Sequence, residues 1–263
     1  MLGTNQVSKA RHRVDGMLAL AEAPFYTIQG EGPSAGTPAV FIRLAGCNLR
    51  CYFCDTEFGT LWDDSTLVLP ESIAEEVIQL LSKNLNRPSF DHKPLVVITG
   101  GEPFLQNFLP LVRVLAGLHM RIEVETAGSL MFDLREARAG FYEQFVFGAK
   151  NHIICSPKTP TINAELADLV YAWKYLVSPS LADHDPEDGL PLWSMQARSQ
   201  GKRARIARPP NHRGRFWHDK IFLQPLAPPD GSFPTYAATN AVNLAKQHGY
   251  RVSLQTHKLL GLP

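Results

Sequence analysis

The segment Cys47-Asn48-Leu49-Arg50-Cys51-Tyr52-Phe53-Cys54 carries three cysteines at CxxxCxxC spacing and is followed at once by Asp55-Thr56. Thiolates are soft ligands suited to iron-sulfur clusters, copper(I) or zinc, and a short loop can turn all three toward one centre. Three ligands are one short of a closed zinc site. A cubane of four irons held by three cysteines keeps one iron open for a ligand that is not protein. The remaining residues are therefore read for groups that could hold a ligand on that iron. Cys155 is the fourth cysteine of the chain, and a lone cysteine in a strand is usually a small buried hydrophobe.

A chain of 263 residues, 44% of them hydrophobic, can bury one large core, and one domain with insertions is expected. The net charge of +1 gives no general attraction to nucleic acid or membrane, so a small-molecule partner is expected. Four cysteines, three of them clustered, do not make a disulfide framework and point to metal binding in a reducing compartment, the cytoplasm. Lys9, Arg11 and Arg13 precede a short apolar run at residues 17–21, but Asp15 and Glu22 flank it, which argues against a signal peptide. No stretch reaches the roughly eighteen uncharged apolar residues that a membrane span needs.

Residues 1–22 read as a flexible extension, with a short helix possible over 14–20, and residues 23–263 as the core domain. Phe25-Tyr26-Thr27-Ile28 runs as a strand into the turn Gln29-Gly30-Glu31-Gly32, and residues 39–45 form a nearly continuous apolar strand interrupted by Arg43. A charge in such a strand must be paired or must recognise an anion; taken alone, the ion pair is the commoner case. Helical spacing covers 70–81, with Glu71, Glu75 and Glu76 early, where the helix dipole favours them. The strand 95–98 then enters Thr99-Gly100-Gly101-Glu102-Pro103 ahead of a helix over 105–118. Two adjacent glycines let backbone approach a ligand closely.

The alternation continues with strands at 121–126, 152–155, 172–177, 221–223 and 251–255 and helices at 132–145, 163–169 and 236–247. This order predicts βα units around a parallel sheet, with the site in the loops after the strand C-termini. Residues 179–219 interrupt it with a polar insertion, first acidic and then carrying seven basic residues from Arg198 to Arg215. A solvated surface loop is the commoner form of such a stretch, and docking of an acidic electron donor or a nucleic acid is the alternative.

Together these motifs resemble the radical S-adenosylmethionine (SAM) enzymes and, within them, the 7-carboxy-7-deazaguanine synthase family of 7-deazapurine (queuosine) biosynthesis. CxxxCxxC with an aromatic-containing loop is similar to the superfamily signature, and Thr99-Gly100-Gly101-Glu102-Pro103 to its methionine-binding glycine motif. Thr27-Ile28-Gln29-Gly30-Glu31-Gly32, Phe41-Ile42-Arg43-Leu44, Cys54-Asp55-Thr56, Ser156-Pro157-Lys158 and Leu223-Gln224-Pro225 carry the narrower likeness, in this order, over nearly all of 23–263 except the insertion. The chain departs from the compact family form through that insertion and the N-terminal extension.

The resemblance implies an α/β fold, an incomplete or modified (βα)6-type partial TIM barrel. It implies a 4Fe-4S cluster on Cys47, Cys51 and Cys54, with SAM chelating the open iron and cleaved on reduction to methionine and a 5'-deoxyadenosyl radical. SAM contacts fall on Phe53, Cys54, Asp55, Gly101, Ser156, Pro157, Lys158, Gln224, Pro225, Leu226 and Ala227, with Glu125 as a further ribose contact. The implied substrate is 6-carboxy-5,6,7,8-tetrahydropterin, which loses hydrogen at C6, contracts its ring and releases ammonia, with SAM regenerated. Ile28, Gln29, Gly30, Thr99 and the terminal carboxylate of Pro263 would hold it, with Arg43 on its carboxylate and Glu31 on its guanidine-like edge. Arg43 and Glu31 are accordingly the expected catalytic pair, and Thr56 the expected Mg2+ ligand.

A reducing protein such as flavodoxin or ferredoxin and a homodimer complete the expected partners, with no membrane and no direct nucleic acid. Two rivals stand beside this reading. An activase installing a glycyl radical on a partner protein shares both signature motifs but gives no reason for a carboxylate-binding Arg43 or a buried C-terminus. A structural metal-binding module would close a zinc site with Cys155. His257 and Lys258, near the terminus, read as surface contacts.

Overall fold

The computed structural model describes residues 7–9, 15–54, 67–85, 93–132, 135–146, 151–195, 204–210, 215–228, 230 and 232–263. Its main sheet has eight strands: β2 (Phe25–Ile28), β3 (Pro38–Leu44), β5 (Leu95–Gly100), β6 (Arg121–Thr126), β7 (His152–Cys155), β8 (Ala172–Val177), β9 (Ile221–Pro225) and β10 (Arg251–Val252). From β3 to β10 every pairing is parallel and follows chain order, while β2 runs antiparallel along the outer edge of β3. Sequential order without a reversal is that of a barrel wall rather than a doubly wound sheet, and β2 and β10 end it as unpaired edges. The expected incomplete α/β barrel is therefore the observed architecture.

Helices α1 (Pro70–Asn84), α2 (Leu109–Gly117), α3 (Arg135–Val146), α4 (Ala164–Ala167) and α5 (Thr235–His248) alternate with the strands, and α6 (Thr256–Leu259) follows β10. Side chains in a strand alternate between faces, and that period divides the protein in two. Val40, Ile42, Val96, Ile98, Ile122, Val124, Trp173 and Tyr175 point to the helices and make one continuous core with Ile73, Val77 and Leu81 of α1. Beneath α2 and α3, Phe104, Phe108, Phe132 and Phe141 pack mostly edge to face, with Phe104 and Phe132 tilted, at ring centroids 5.0 to 5.6 Å apart. The alternate residues face the lumen, which is apolar around Ala39, Leu95 and Val97 and around Ile154, Ala172 and Phe222. One step further along the same strands the lumen turns polar at Arg43, Thr99, Glu125 and Lys174.

Helix α2 starts at Leu109, not near 105 as the sequence suggests, because a 3-10 turn at Pro103–Leu105 intervenes. Phe108 is the N-cap and offers no side-chain bond, while Asn107 just before it makes a local turn, its side chain accepting from the Leu109 amide at 3.3 Å. The larger departure lies in the stretch expected to be a flexible extension with a possible helix over 14–20. Leu18–Ala19 is a strand, β1, antiparallel to β4 (Leu67–Val68), and Leu18 is 1% exposed. The reason is a buried side chain: Gln106 donates to the carbonyls of Ala19 (2.9 Å) and Ala45 (3.1 Å) and accepts the Ala19 amide (2.8 Å). Upstream, Ser8 donates its amide to the Cys47 carbonyl at 2.7 Å.

The insertion also departs from the expected solvated loop. Leu190, Met195 and Ile206 are buried, and Trp193 and Arg205 pair across a short antiparallel bridge. Arg208 clasps Asp188 (2.8 Å) and the Pro191 carbonyl (2.8 Å), fixing the base of this arm. Residues 196–203 and 211–214, which hold four of the seven basic side chains, lie outside the described residues. Among the described residues no helix is long and apolar enough to cross a membrane.

Gln106→Leu removes two hydrogen bonds to Ala19 and one to Ala45, leaving the N-terminal strand only its backbone pairing with residues 43–45 and with β4. A stability loss of about 3 kcal/mol is expected, read as a lower denaturant midpoint at unchanged slope.

Candidate functional site: a thiolate loop at the mouth of the barrel

The cysteine loop leaves β3 at Gly46, whose positive φ of 83° turns the chain back over the lumen. Cys47, Cys51 and Cys54 all line one cavity of about 200 Å3, with Cys47 buried and the other two half-buried. Across this mouth stands Gly101, where a Cβ would lie 1.9 Å from the Gly46 carbonyl oxygen, so only glycine lets the two loops meet. Burial pushes the Cys47 thiol up to about 12, so loading a metal there must expel a proton.

Two features test whether these residues fit a cluster with SAM. Among the described residues no three His, Cys, Asp or Glu side chains gather closely enough to hold one metal ion. A cubane, by contrast, distributes its cysteines over separate irons. The second feature is Gln224, whose side-chain oxygen is buried with no hydrogen-bond partner on the wall that this cavity shares with the next. An orphaned acceptor in a cavity suits a ligand with N–H or O–H donors. Cys155 is 0% exposed, packs into the helix-facing core and does not border the cavity, so it offers no fourth sulfur for a closed zinc site.

Two further chambers adjoin the first. One, of about 370 Å3, shares Phe53, Leu176 and Gln224 with it and is lined also by Pro225, Leu226 and Ala227. The other, of about 510 Å3, shares Glu31, Thr99 and Glu125 with the cysteine cavity and contains Ile28, Gln29, Arg43 and Pro263. Ser156 and Lys158 line the cysteine cavity, and Lys158 Nζ donates to the Ser156 carbonyl (3.0 Å) and stands 5.8 Å over the Phe53 ring. Burial lowers the Lys158 amine to about 8. Pro157 is buried behind this loop and borders no chamber; Asp55 and Thr56 lie outside the described residues. Gly30 is absent from the chamber wall too, serving instead to admit His257, whose ring nitrogen would sit 2.0 Å from a Cβ there.

Several side chains are already engaged. Arg43 stands with Nε 3.0 Å from Glu22 and its guanidinium over the Phe25 ring at 5.3 Å, so the ion-pair reading and a position on the chamber wall both hold. Glu31 takes a hydrogen bond from Gln255 (2.7 Å) on one oxygen and Lys174 on the other. Burial alone would raise its carboxyl, but the Lys174 charge and these bonds hold it well below the usual carboxylate range. Pro263 borders the chamber but is exposed, so the expected buried C-terminus is corrected to a terminal residue at the rim.

Sequence reasoning missed Lys174, Gln255 and the buried carboxylates Glu102 and Glu123, and it set His257 aside. Glu102 accepts from Thr126 (2.6 Å) and the Ala127 amide (2.9 Å), while burial raises its carboxyl to about 7. Glu123 is raised likewise to about 7, by burial and then by Glu125, and accepts from Ser34 (2.6 Å) and Gln29 (2.8 Å). Lys174 was legible by the signal that marked Arg43, a single charge within the apolar strand of residues 172–177.

The chain matches the family model described as Radical SAM superfamily over residues 41–143, which spans the cysteine loop, the glycine motif and the first helices. It is 39% identical over 254 residues to the 7-carboxy-7-deazaguanine synthase of Rhodospirillum rubrum, covering 94% of this chain and 93% of that one. It is 32% identical over 255 residues to the synthase of Rickettsia prowazekii, covering 94% and 90%. The crystal structure of QueE from Escherichia coli shares the fold with a TM-score of 0.56 at 21% identity, over 90% of this chain and 93% of that chain. Three cysteines at the mouth of an incomplete barrel thus define a radical SAM protein. Within that class, kinship along nearly the whole chain places it in the 7-carboxy-7-deazaguanine synthase family.

Anaerobic reconstitution should load about four irons per chain, and Cys155→Ala should keep them. Iron and sulfide analysis checks this, and a single zinc lost on that substitution is the contrary result.

Proposed function

We propose that this chain converts 6-carboxy-5,6,7,8-tetrahydropterin to 7-carboxy-7-deazaguanine with release of ammonia. The observation that carries the reading is the 510 Å3 chamber with Arg43 on its wall, divided from the cysteine cavity only by Glu31, Thr99 and Glu125. A reduced cluster, when bound, supplies the electron that splits SAM into methionine and a 5'-deoxyadenosyl radical. Cys47, Cys51 and Cys54 would hold three irons and leave the fourth for SAM. Gly101 keeps the mouth narrow, and Ser156, Lys158 and Gln224 offer an acceptor and donors where the amino acid and ribose of SAM would lie. Phe53 and residues 225–227 wall the adjoining chamber with apolar surface, suited to an adenine ring.

In the larger chamber the guanidinium of Arg43 can take the pterin carboxylate through paired hydrogen bonds. Its existing tie to Glu22 orients it, since a half-exposed glutamate is a partner that a buried ligand carboxylate can displace or share. Ile28, Gln29, Thr99 and Pro263 would line the ring, and Glu125, reaching both chambers, stands where substrate and nucleoside must meet. Thr56 is the proposed ligand for Mg2+. A flavodoxin- or ferredoxin-like reductant, a homodimer and a cytoplasmic location belong to the same proposal.

Incubated anaerobically with the carboxytetrahydropterin, SAM and a reductant, the loaded protein should form 7-carboxy-7-deazaguanine, detected by mass. No product, together with radical transfer to a glycine of another protein, would move the assignment to an activase. Arg43→Met should raise KM for the pterin by about 10- to 100-fold with iron content and SAM binding unchanged.

A further inference from the structure

The least expected charge in the lumen is Lys174, at the third position of β8. It is 5% exposed, and every residue of its strand is buried. Its ammonium is hydrogen-bonded to Glu31, in the loop after β2, and stands 3.5 Å from Glu125 of β6. Gln29 closes the arrangement from the other side, donating to Glu125 (3.0 Å) and Glu123 (2.8 Å) while accepting the Glu31 amide (3.0 Å). Glu31 and Glu125 are the two carboxylates on the wall between the cysteine cavity and the larger chamber, and Lys174 reaches that wall from the cysteine side.

We propose that Lys174 is a positioning residue for the radical reaction: its ammonium clamps Glu31 and Glu125 side by side, so that both face the ligand in the larger chamber at a fixed distance from the cysteine cavity. This rests on the function proposed above. A carboxylate free to rotate would let the pterin shift, and displacement of a hydrogen donor by about 1 Å is enough to weaken transfer to a radical strongly. Held by one cation, the two acceptors present a rigid edge to the N–H groups of the ring. A lysine amine also has three donors directed tetrahedrally, enough for both carboxylates and one ligand atom in the cysteine cavity.

The charged groups that face the clamp are Glu31, Glu123, Glu125 and Lys158, with His257 acting on Glu31 from α6. Burial would lower the Lys174 amine, but Glu125 and Glu31 more than offset this and push it up, so it stays charged throughout the working range. For Glu31 the sign is opposite: burial favours its protonated form, and the lysine is what holds it ionised. Without the ammonium, Glu31 takes up a proton at a higher pH, and activity that needs its carboxylate fails earlier as pH falls.

The test compares loaded wild type, Lys174→Met and Lys174→Arg. In Lys174→Met, iron content should hold, KM for the carboxytetrahydropterin should rise about tenfold or more, and 5'-deoxyadenosine should be released in excess over product. The acidic limb of its kcat/KM profile should move up by about one pH unit or more. Lys174→Arg, which keeps the charge on a larger fork, should retain the acidic limb while still raising KM and the excess of 5'-deoxyadenosine. Should Lys174→Met fail to fold, the arginine variant alone decides through KM and coupling. Unchanged KM, coupling and pH profile in a folded variant overturn the clamp. A wild type that makes no product overturns the substrate reading, and the clamp with it, and is told apart by that control.

Discussion

An ammonium buried in the middle of a six-residue strand is a demanding object, because without partners it would cost several kcal/mol. Lys174 satisfies it with carboxylates from two other elements, Glu31 after β2 and Glu125 on β6. That one interaction spans the open barrel from one side of its lumen to the other. The antiparallel edge strand β2 must therefore lie where its turn can reach inward, and Gln29, Gln255 and Ser34 fall into place as donors to the same acidic group. The polar end of the lumen is thus a satisfied network instead of a wet hole.

Around this network the site divides by strand position. Residues on the lumen face low in the strands are apolar and close the barrel. Those nearer the C-terminal ends are charged and border the chambers, and the loops beyond them carry the cysteines, the glycine motif and the Ser156-Pro157-Lys158 turn. Period-two alternation does the sorting, so the same strands that pack Ile42, Val124 and Tyr175 against helices also aim Arg43, Glu125 and Lys174 inward. The glycine motif contributes by omission, since any side chain at Gly101 would push the cysteine loop off the mouth.

How much of this could be read beforehand follows from where the forces originate. Strands β6, β7 and β8 have the limits expected of them, because alternating or continuous apolar residues bounded by polar turns leave little choice. The start of α2 was misplaced because a 3-10 turn and the Asn107 side-chain turn decide it locally. Residues 18–20 looked like a tail because what holds them lies far along the chain: Gln106, the end of β3 and β4. At the site the cysteines and Gln224 announced themselves by motif. Glu22 as the partner of Arg43, and Lys174 as the partner of Glu31, could not be read, since pairings across the lumen leave no local spacing.

The arm formed by the insertion does more than fill space beside β8. Met195 and Ala207 give their amides to the carbonyls of Lys158 and Thr159, at 3.0 and 2.9 Å, and the Tyr175 hydroxyl donates to Ala207 from the sheet (2.8 Å). The turn that borders the cysteine cavity is thereby braced from behind by a segment absent from a compact barrel. Turn and arm are therefore coupled: a chimera that exchanged the turn alone would inherit carbonyls whose donors had been left in the other parent.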